Sequence, residues 1–255
     1  MLLCIDIGNT NVVFGLWRDG QWLTHWRVRT VRDKMPDEYS VLLRALLRES
    51  RFDWPDIDQV VLASVVPPLT GAFVELCTHH TGAPPIVVGA GVRTGLRIRI
   101  DNPVELGADL VADAIAAFDR FHGPCIIVDF GTATTFSAVS AEGDFLGVAI
   151  TLGLGLAAES LASHTAQLPR VMLKPPTAAI GKNTVHSMQS GLIFGYVGLV
   201  EGLIRRIQAE LGGAAQVIAT GGLSSIIAPL TPAIHHVDPW LTLDGLRLIA
   251  ERNRS

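Results

Sequence analysis

Two short apolar runs in this chain each end in an aspartate that is followed, two residues later, by a glycine. The first run ends in Asp6–Gly8, and the second, offset by 123 positions, ends in Asp129–Gly131. After each glycine come small residues, a second apolar run, an acid-glycine pair and a third apolar run. An acid-glycine pair between two apolar runs is typical of a β-hairpin. The pattern therefore predicts three short antiparallel strands at the start of each half of the chain.

Helical spacing follows the predicted strands in both halves. Residues 36–50 place apolar side chains on one helical stripe, and residues 186–211 predict a longer helix. The stripe in the first helix consists of Val41, Leu42, Leu43, Leu46 and Leu47. A further strand, with a helix or turn after it, is predicted in residues 59–69 and again in residues 216–227.

These elements predict an α/β protein made of two similar halves, residues 1–118 and 119–255. Each half is expected to be a mixed sheet flanked by helices. Two such halves would leave a cleft between them. We expect the two aspartate loops to face it, because ligands bind at the strand ends of such sheets.

The composition of the 255 residues narrows the class of protein. Apolar residues make up 49% of the chain, which favours a globular protein with a large core. The net charge of −4 argues against nucleic-acid binding, which requires a basic face. The longest apolar run, residues 145–158, is shorter than the roughly 20 residues that a membrane helix needs, and no basic segment precedes the first apolar run. We therefore expect a cytoplasmic protein that binds neither nucleic acid nor a membrane.

Asp6 and Asp129 are the first candidates for chemistry. Carboxylates facing across a cleft attract Mg²⁺ and the phosphates that it carries. Small neighbours allow the backbone to approach a phosphate and offer N–H and O–H donors; they are Gly8, Asn9, Thr10, Gly131, Thr132 and Thr134. Aspartate and glycine are also ordinary turn residues, but two copies in one register favour a ligand site.

Asp109 is the best candidate for a catalytic acid or base. It lies at the start of a predicted helix, directly after Gly107 and Ala108, which leave room for a ligand. An acid in a first helical turn is often only a partner for the helix dipole, and we expect that solvent-facing role for Asp113 and Asp119. Both interpretations of Asp109 remain open from the residues alone.

Three further motifs allow alternatives. Asn183 or Thr184 is expected to cap the long helix, whose free N–H groups could also receive an anion. Gly221 and Gly222 form either a tight turn or a surface for a flat base. Gly191, Gly195, Gly198 and Gly202 weaken the long helix by about 1 kcal/mol each relative to alanine, which predicts a tight helix or subunit contact.

Six motifs in order carry a family resemblance: DIGNTN, VRTGLRIRIDNP, GAD, VDFGTATTF, TAQLPRV and GKNTVHSMQSGLIFGYVG. The chain resembles the type III pantothenate kinases, which belong to the superfamily of acetate and sugar kinases, chaperones and actin. The resemblance covers nearly the whole chain and implies two actin-like (ribonuclease H-like) domains.

The resemblance also implies an activity and its site. The reaction would be ATP-dependent phosphorylation of the 4′-hydroxyl of pantothenate, the first step towards coenzyme A, in a homodimer. The implied ATP site consists of Asp6, Ile7, Gly8, Asn9, Thr10, Asn11, Val12, Val13 and Thr132. Asp109 would be the general base, and the implied pantothenate site consists of Gly107, Ala108, Asp109, Leu110 and Thr184. Asp129 would bind the monovalent cation, potassium or ammonium, that the family needs besides Mg²⁺.

The chain departs from the family pattern mostly around the acceptor. Leu110 stands where the family usually has arginine, and the other departures are Ile100, Ser137 and Leu152. Arg93, Arg97 and Arg99 lie upstream and could meet the pantothenate carboxylate instead. Two alternatives therefore stay open: a kinase of this fold that acts on another small hydroxy acid, and a catalytically idle ATP-binding homologue with a regulatory role.

Overall fold

The computed structural model describes residues 1–254, which contain two sheets. The first sheet has the strand order β3-β2-β1-β4-β5. Its strands are β1 (Leu2–Ile7), β2 (Asn11–Arg18), β3 (Gln21–Arg29), β4 (Gln59–Ser64) and β5 (Ile86–Val87). β1, β2 and β3 pair antiparallel, whereas β4 runs parallel to β1. The predicted three antiparallel strands of the first half are therefore confirmed.

The second sheet repeats this order and adds one strand. Its strands are β6 (Arg97–Ile98), β7 (Cys125–Phe130), β8 (Ala133–Val139), β9 (Asp144–Leu152), β10 (Gln216–Thr220) and β11 (His236–Val237). They lie in the order β11-β10-β7-β8-β9-β6, with β7, β8 and β9 antiparallel. The prediction of a repeated mixed sheet is confirmed, and β6 is an addition at the edge of β9.

Seven helices connect the strands within residues 1–254. They are α1 (Pro36–Glu49), α2 (Pro67–Thr81), α3 (Ala108–Phe121), α4 (Leu154–Ser163), α5 (Thr184–Glu210), α6 (Ser224–Ile227) and α7 (Leu241–Arg252). In α1 the buried positions are Tyr39, Leu43 and Leu47, four residues apart, whereas Val41 is 72% exposed. The predicted stripe was thus wrong at Val41, because the buried face follows the i, i+4 row through Tyr39.

Each sheet has its own hydrophobic core. The first core includes Ile5, Phe14 and Phe73, and the second includes Val128, Phe136 and Ile193. All three cysteines are buried, and burial raises the pKa of Cys77 and of Cys125 to about 12. These thiols therefore behave as small apolar side chains.

The chain divides into two compact units, one for each sheet. The first unit comprises Met1–Gly95, Asp101–Ala116 and the C-terminal segment that begins at Leu241; the second comprises Leu96–Ile100 and Ala117–Trp240. The predicted boundary after residue 118 falls inside α3 and assigns α7 to the second half, which differs from this division.

α7 belongs to the first unit because it packs closely there. A Cβ on Gly245 would lie 1.9 Å from the carbonyl oxygen of Ala112, so only glycine allows this approach of two helices. The indole N–H of Trp22 donates to Asp244 at 2.8 Å. Both contacts join residues more than 100 positions apart, which local patterns do not show.

Within residues 1–254, α5 alone has the length and composition of a helix that could cross a membrane, and 44% of its most apolar window is buried. A core helix passes the same test. Its apolar character is therefore weak support for a membrane span.

Candidate functional site

The loop after β1 is closed at its base by a main-chain hydrogen bond, and its tip is exposed to solvent. The Gly8 N–H donates to Asn11 O at 3.0 Å, which closes the turn, and Asn9 and Thr10 are exposed. Thr30 fixes the loop from the side: its Oγ1 donates to Gly8 O at 2.6 Å, and its N–H donates to Thr10 O at 2.9 Å. Sequence reasoning did not identify Thr30, because it lies beyond β3.

The eight predicted ATP-site residues of this hairpin divide between two faces of the sheet. Ile7 and Val12 are fully buried in the first core, so that they can offer only main-chain groups to a ligand. Asp6 pairs with Val13 across the strands, and both side chains are half-buried on the opposite face. The loop therefore combines the Asp6 carboxylate with the exposed tip of residues 9–11.

The second aspartate loop is similar but one residue shorter. In both β1 and β7 every residue is buried except the fifth, so Asp6 and Asp129 occupy equivalent half-buried positions. In the first loop, four residues lie between the last paired strand residues, Ile7 and Val12. In the second loop, three residues lie between Phe130 and Thr134. The predicted match of the loops residue by residue therefore holds only up to the glycine.

Asp129 is enclosed by glycines. A Cβ on Gly221 would lie 2.2 Å from Asp129 Oδ1, and one on Gly131 would lie 3.2 Å from Oδ2. Gly221 also has a positive φ of +84°, so the structure supports the tight-turn alternative at this residue. Thr132 is exposed, and Gly153 packs behind it: a Cβ there would lie 2.1 Å from Thr132 O.

Tyr196 of α5 fixes the strand beside Asp129. Its hydroxyl lies 2.5 Å from Thr134 Oγ1 and 3.1 Å from Leu152 O. Both Tyr196 and Thr134 are buried. This buried hydrogen-bond group holds the ends of β8 and β9, and sequence reasoning missed it because Tyr196 lies in an apolar helix.

Asp109 is half-buried in the first turn of α3. Burial raises the pKa of its carboxyl, although main-chain N–H groups, among them that of Leu110 at 2.8 Å, oppose the shift. A Cβ on Gly107 would lie 2.4 Å from Asp109 Oδ1, so the glycine makes space for the carboxylate. Asp109 therefore lies at the start of a helix, as predicted, and its carboxylate is partly removed from water.

Two expectations for α3 need correction or refinement. Asp113 was wrongly expected to face solvent: it is 2% exposed and accepts a hydrogen bond from Thr242 Oγ1 at 2.7 Å. α7 covers this side of α3, which explains the burial. Leu110 is also buried, at 9% exposure, so its side chain packs in the protein. Asp119 is exposed, as expected.

Thr184 is the first residue of α5 and is exposed. Asn183 is the N-cap, since its side chain accepts from the His186 N–H at 2.9 Å. The alternative with Asn183 as the cap is thus confirmed. Arg97 and Arg99, both candidates for meeting an acceptor carboxylate, donate from Nε to the two oxygens of Asp144 at 2.5 and 3.2 Å.

Comparison with known proteins places the chain in a family. The model of the type III pantothenate kinase family matches residues 2–206. The chain belongs to the type III pantothenate kinases. Type III pantothenate kinases of Moorella thermoacetica and of a Roseiflexus species are 50% and 51% identical to it, over 99% and 100% of this chain and the whole of each relative.

The fold is shared more widely. A candidate N-acetylmannosamine kinase from Listeria monocytogenes, Lmo2764, superposes with a TM-score of 0.57 at 12% identity, over 99% of both chains. The fold of that protein is therefore shared by this chain over nearly its whole length.

The raised pKa of Asp109 predicts a stability effect. The folded chain binds this proton more tightly than the unfolded chain, so the contribution of Asp109 to stability is present below its ordinary pKa of about 3.9 and is lost as pH rises through its folded pKa. Asp109→Asn cannot lose a proton. We expect it to unfold at higher urea concentration than the wild type at about pH 7, with a smaller difference at about pH 4.

Asp119→Asn, on the exposed side of the same helix, is the matched control and should show little change at either pH. An Asp109→Asn protein that is no more stable than the wild type at neutral pH would contradict the prediction.

Proposed function

We infer that this chain transfers the γ-phosphoryl group of ATP to the 4′-hydroxyl of pantothenate, the first step of coenzyme A synthesis. Membership of the family supports the reaction. The structural observation that carries the proposal is the half-buried Asp109, whose pKa burial raises. A base accepts a proton most effectively when its pKa approaches the working pH, and this environment moves the carboxyl in that direction.

Asp109 acts as the general base for the acceptor hydroxyl. One oxygen, Oδ1, accepts the N–H of Leu110, which fixes the carboxylate. The other oxygen then takes the proton as the hydroxyl attacks the γ-phosphorus. Phosphoryl transfer depends mainly on positioning and on charge stabilisation, so a base held by the main chain is suited to the reaction.

The exposed loop tip at Asn9 and Thr10 holds the ATP phosphates, together with Thr132. Mg²⁺, which neutralises phosphate charge when bound, is commonly held by one or two carboxylates and the phosphates themselves. The half-buried Asp6 carboxylate fits that role.

Asp129 would hold the monovalent cation, potassium or ammonium. A carboxylate oxygen suits a hard cation, and the glycines at 131 and 221 leave its two oxygens without a covering Cβ.

The pantothenate site comprises Gly107, Ala108, Asp109, Leu110 and Thr184. Because Leu110 is buried, it contributes main-chain groups and packing and does not meet a carboxylate. Arg97 and Arg99 both donate to the single carboxylate of Asp144, which engages the Nε of each but balances only one of the two positive charges. This arrangement is the observation that favours the second candidate, a kinase for another small hydroxy acid, and comparing ADP release with pantothenate and with such acids separates the two.

The enzyme is a cytoplasmic homodimer that buries α5. A Cβ on Gly195 or Gly198 would meet nothing within 4 Å in the described chain. The helix surface at these glycines therefore has space for a close contact with a second copy. Apolar side chains of the same unit are also exposed, among them Leu146, Ile150, Leu152, Leu156 and Leu161. A second copy would cover such a surface.

Asp109→Asn tests the base. Asparagine keeps the Oδ1 acceptor for the Leu110 N–H but cannot take a proton, so we expect kcat to fall about 10²–10⁴-fold. Steady-state ADP release with saturating pantothenate measures it, and Asp119→Asn is the control. A near-normal kcat in Asp109→Asn would show that Asp109 only begins a helix.

Exchange of sodium for potassium tests Asp129. We expect the wild-type rate to rise strongly in potassium or ammonium, and the Asp129→Asn rate to be low and the same in all three salts, because the variant lacks the anionic ligand. Equal wild-type rates in sodium and potassium would remove the cation site.

The double variant Gly195→Leu, Gly198→Leu tests the dimer. A Cβ has open space at both positions, and leucine has a higher helix propensity than glycine, so the single chain should fold while its association is blocked. We expect light scattering at micromolar concentration to show a wild-type dimer and a variant monomer. Gly71→Leu, at an open position of α2, is the control. A monomeric wild type, or a dimer that survives the double change, would contradict the proposal.

A further inference from the structure

The segment after β3 lies along the open loop at residues 8–11. Thr30 holds the main chain of that loop through Gly8 O and Thr10 O. Two residues later, Arg32 is exposed, and its Nη2 donates to Asn9 Oδ1 at 2.9 Å. A guanidinium group is therefore held at the tip of the loop.

The bond to Arg32 determines which way the Asn9 amide faces. A guanidinium group has only donors, so it requires the oxygen of the amide. The amide nitrogen of Asn9, with its two N–H donors, is then directed away from Arg32. Since Asn9 is exposed, these donors remain available to an acceptor such as a phosphate oxygen.

Arg32 also has uncompensated charge. Within residues 1–254 its guanidinium has no carboxylate partner, and the single bond to Asn9 uses one of its five N–H donors. Planar guanidinium groups bind phosphate through paired, charge-assisted hydrogen bonds.

The neighbouring strand adds to this positive edge. Arg27 and Arg29 lie opposite Val13 and Asn11 in the β2–β3 register, and both arginines are exposed. Because they are two residues apart on a strand, they occupy the same face of the sheet as Asp6 and Val13.

We propose that Arg32 is a binding residue for the ATP phosphates: it orients the Asn9 amide towards the nucleotide and donates directly to a phosphate oxygen. The proposal rests on the proposed function of the loop at residues 8–11. Loop and arginine form one site, in which neutral donors surround the phosphates and Arg32 supplies the charge.

Equilibrium binding of ATP with Mg²⁺ to the full chain, followed by calorimetry, tests the proposal without requiring turnover. We expect Arg32→Ala to weaken ATP binding about 10-fold to 100-fold, the range for loss of a charge-assisted hydrogen bond. Arg32→Lys should recover part of the affinity, because it restores the charge without the planar fork. Arg44→Ala, an exposed arginine of α1, is the control and should bind as the wild type does.

A double-mutant cycle separates direct contact from support of Asn9. If Arg32 also touches phosphate, Arg32→Ala combined with Asn9→Ala binds ATP several-fold more weakly than Asn9→Ala alone, and raised salt weakens binding to the wild type more steeply than to Arg32→Ala. Arg32→Ala within about twofold of the wild type, or a double variant equal to Asn9→Ala, overturns the proposal.

The cycle also distinguishes failure of the loop itself. If Asn9→Ala and Asp6→Asn bind ATP as the wild type does, the phosphate site proposed at residues 6–11 is wrong, and Arg32 has no role there. If those variants weaken binding while Arg32→Ala does not, only the inference about Arg32 fails.

Discussion

The carboxylates of Asp109 and Asp129 lie so close to neighbouring main chain that a Cβ there would crowd their oxygens. The neighbouring residues are glycines: Gly107 beside Asp109, and Gly131 and Gly221 beside Asp129. Each glycine allows an acid to remain half-buried at the end of an element. Both candidate acids depend on this constraint, because a methyl group at Gly107 would displace the carboxylate of Asp109 and one at Gly221 would displace that of Asp129.

The same constraint sets what the two halves share and where they differ. β1 and β7 bury every residue except one half-buried aspartate, so each of the two sheets presents a carboxylate at the same position. Around Asp6 the loop is longer and is held by Thr30, the residue directly after β3. Around Asp129 it is shorter and is held by Tyr196 from a helix. One architecture thus provides a longer loop with an exposed tip on one copy and a carboxylate enclosed by glycines on the other.

Local patterns in the sequence were sufficient for strands β1–β4 and β7–β10, the long helix and the positions of Asp6, Asp109 and Asp129, because acid-glycine turns and helical spacing act over a few residues. They failed where a distant segment decides the environment. Asp113 is a solvent-facing acid by local pattern, but Thr242, from the other end of the chain, buries and binds it. The exposure of Val41, the hydrogen bonds of Tyr196 and the contact of Arg32 with Asn9 likewise depend on pairings between elements.

The position of α7 has a consequence for the order in which the chain can fold. Its Gly245 packs on Ala112, and its Asp244 accepts a hydrogen bond from Trp22, so the first unit needs this helix to cover α3 and β3. Yet α7 is synthesised after the whole of the second unit, residues 96–100 and 117–240. During translation the second sheet can therefore complete its core before α7 is made. The strands of the first sheet emerge earlier, but the surface that α7 covers stays exposed until this helix is synthesised.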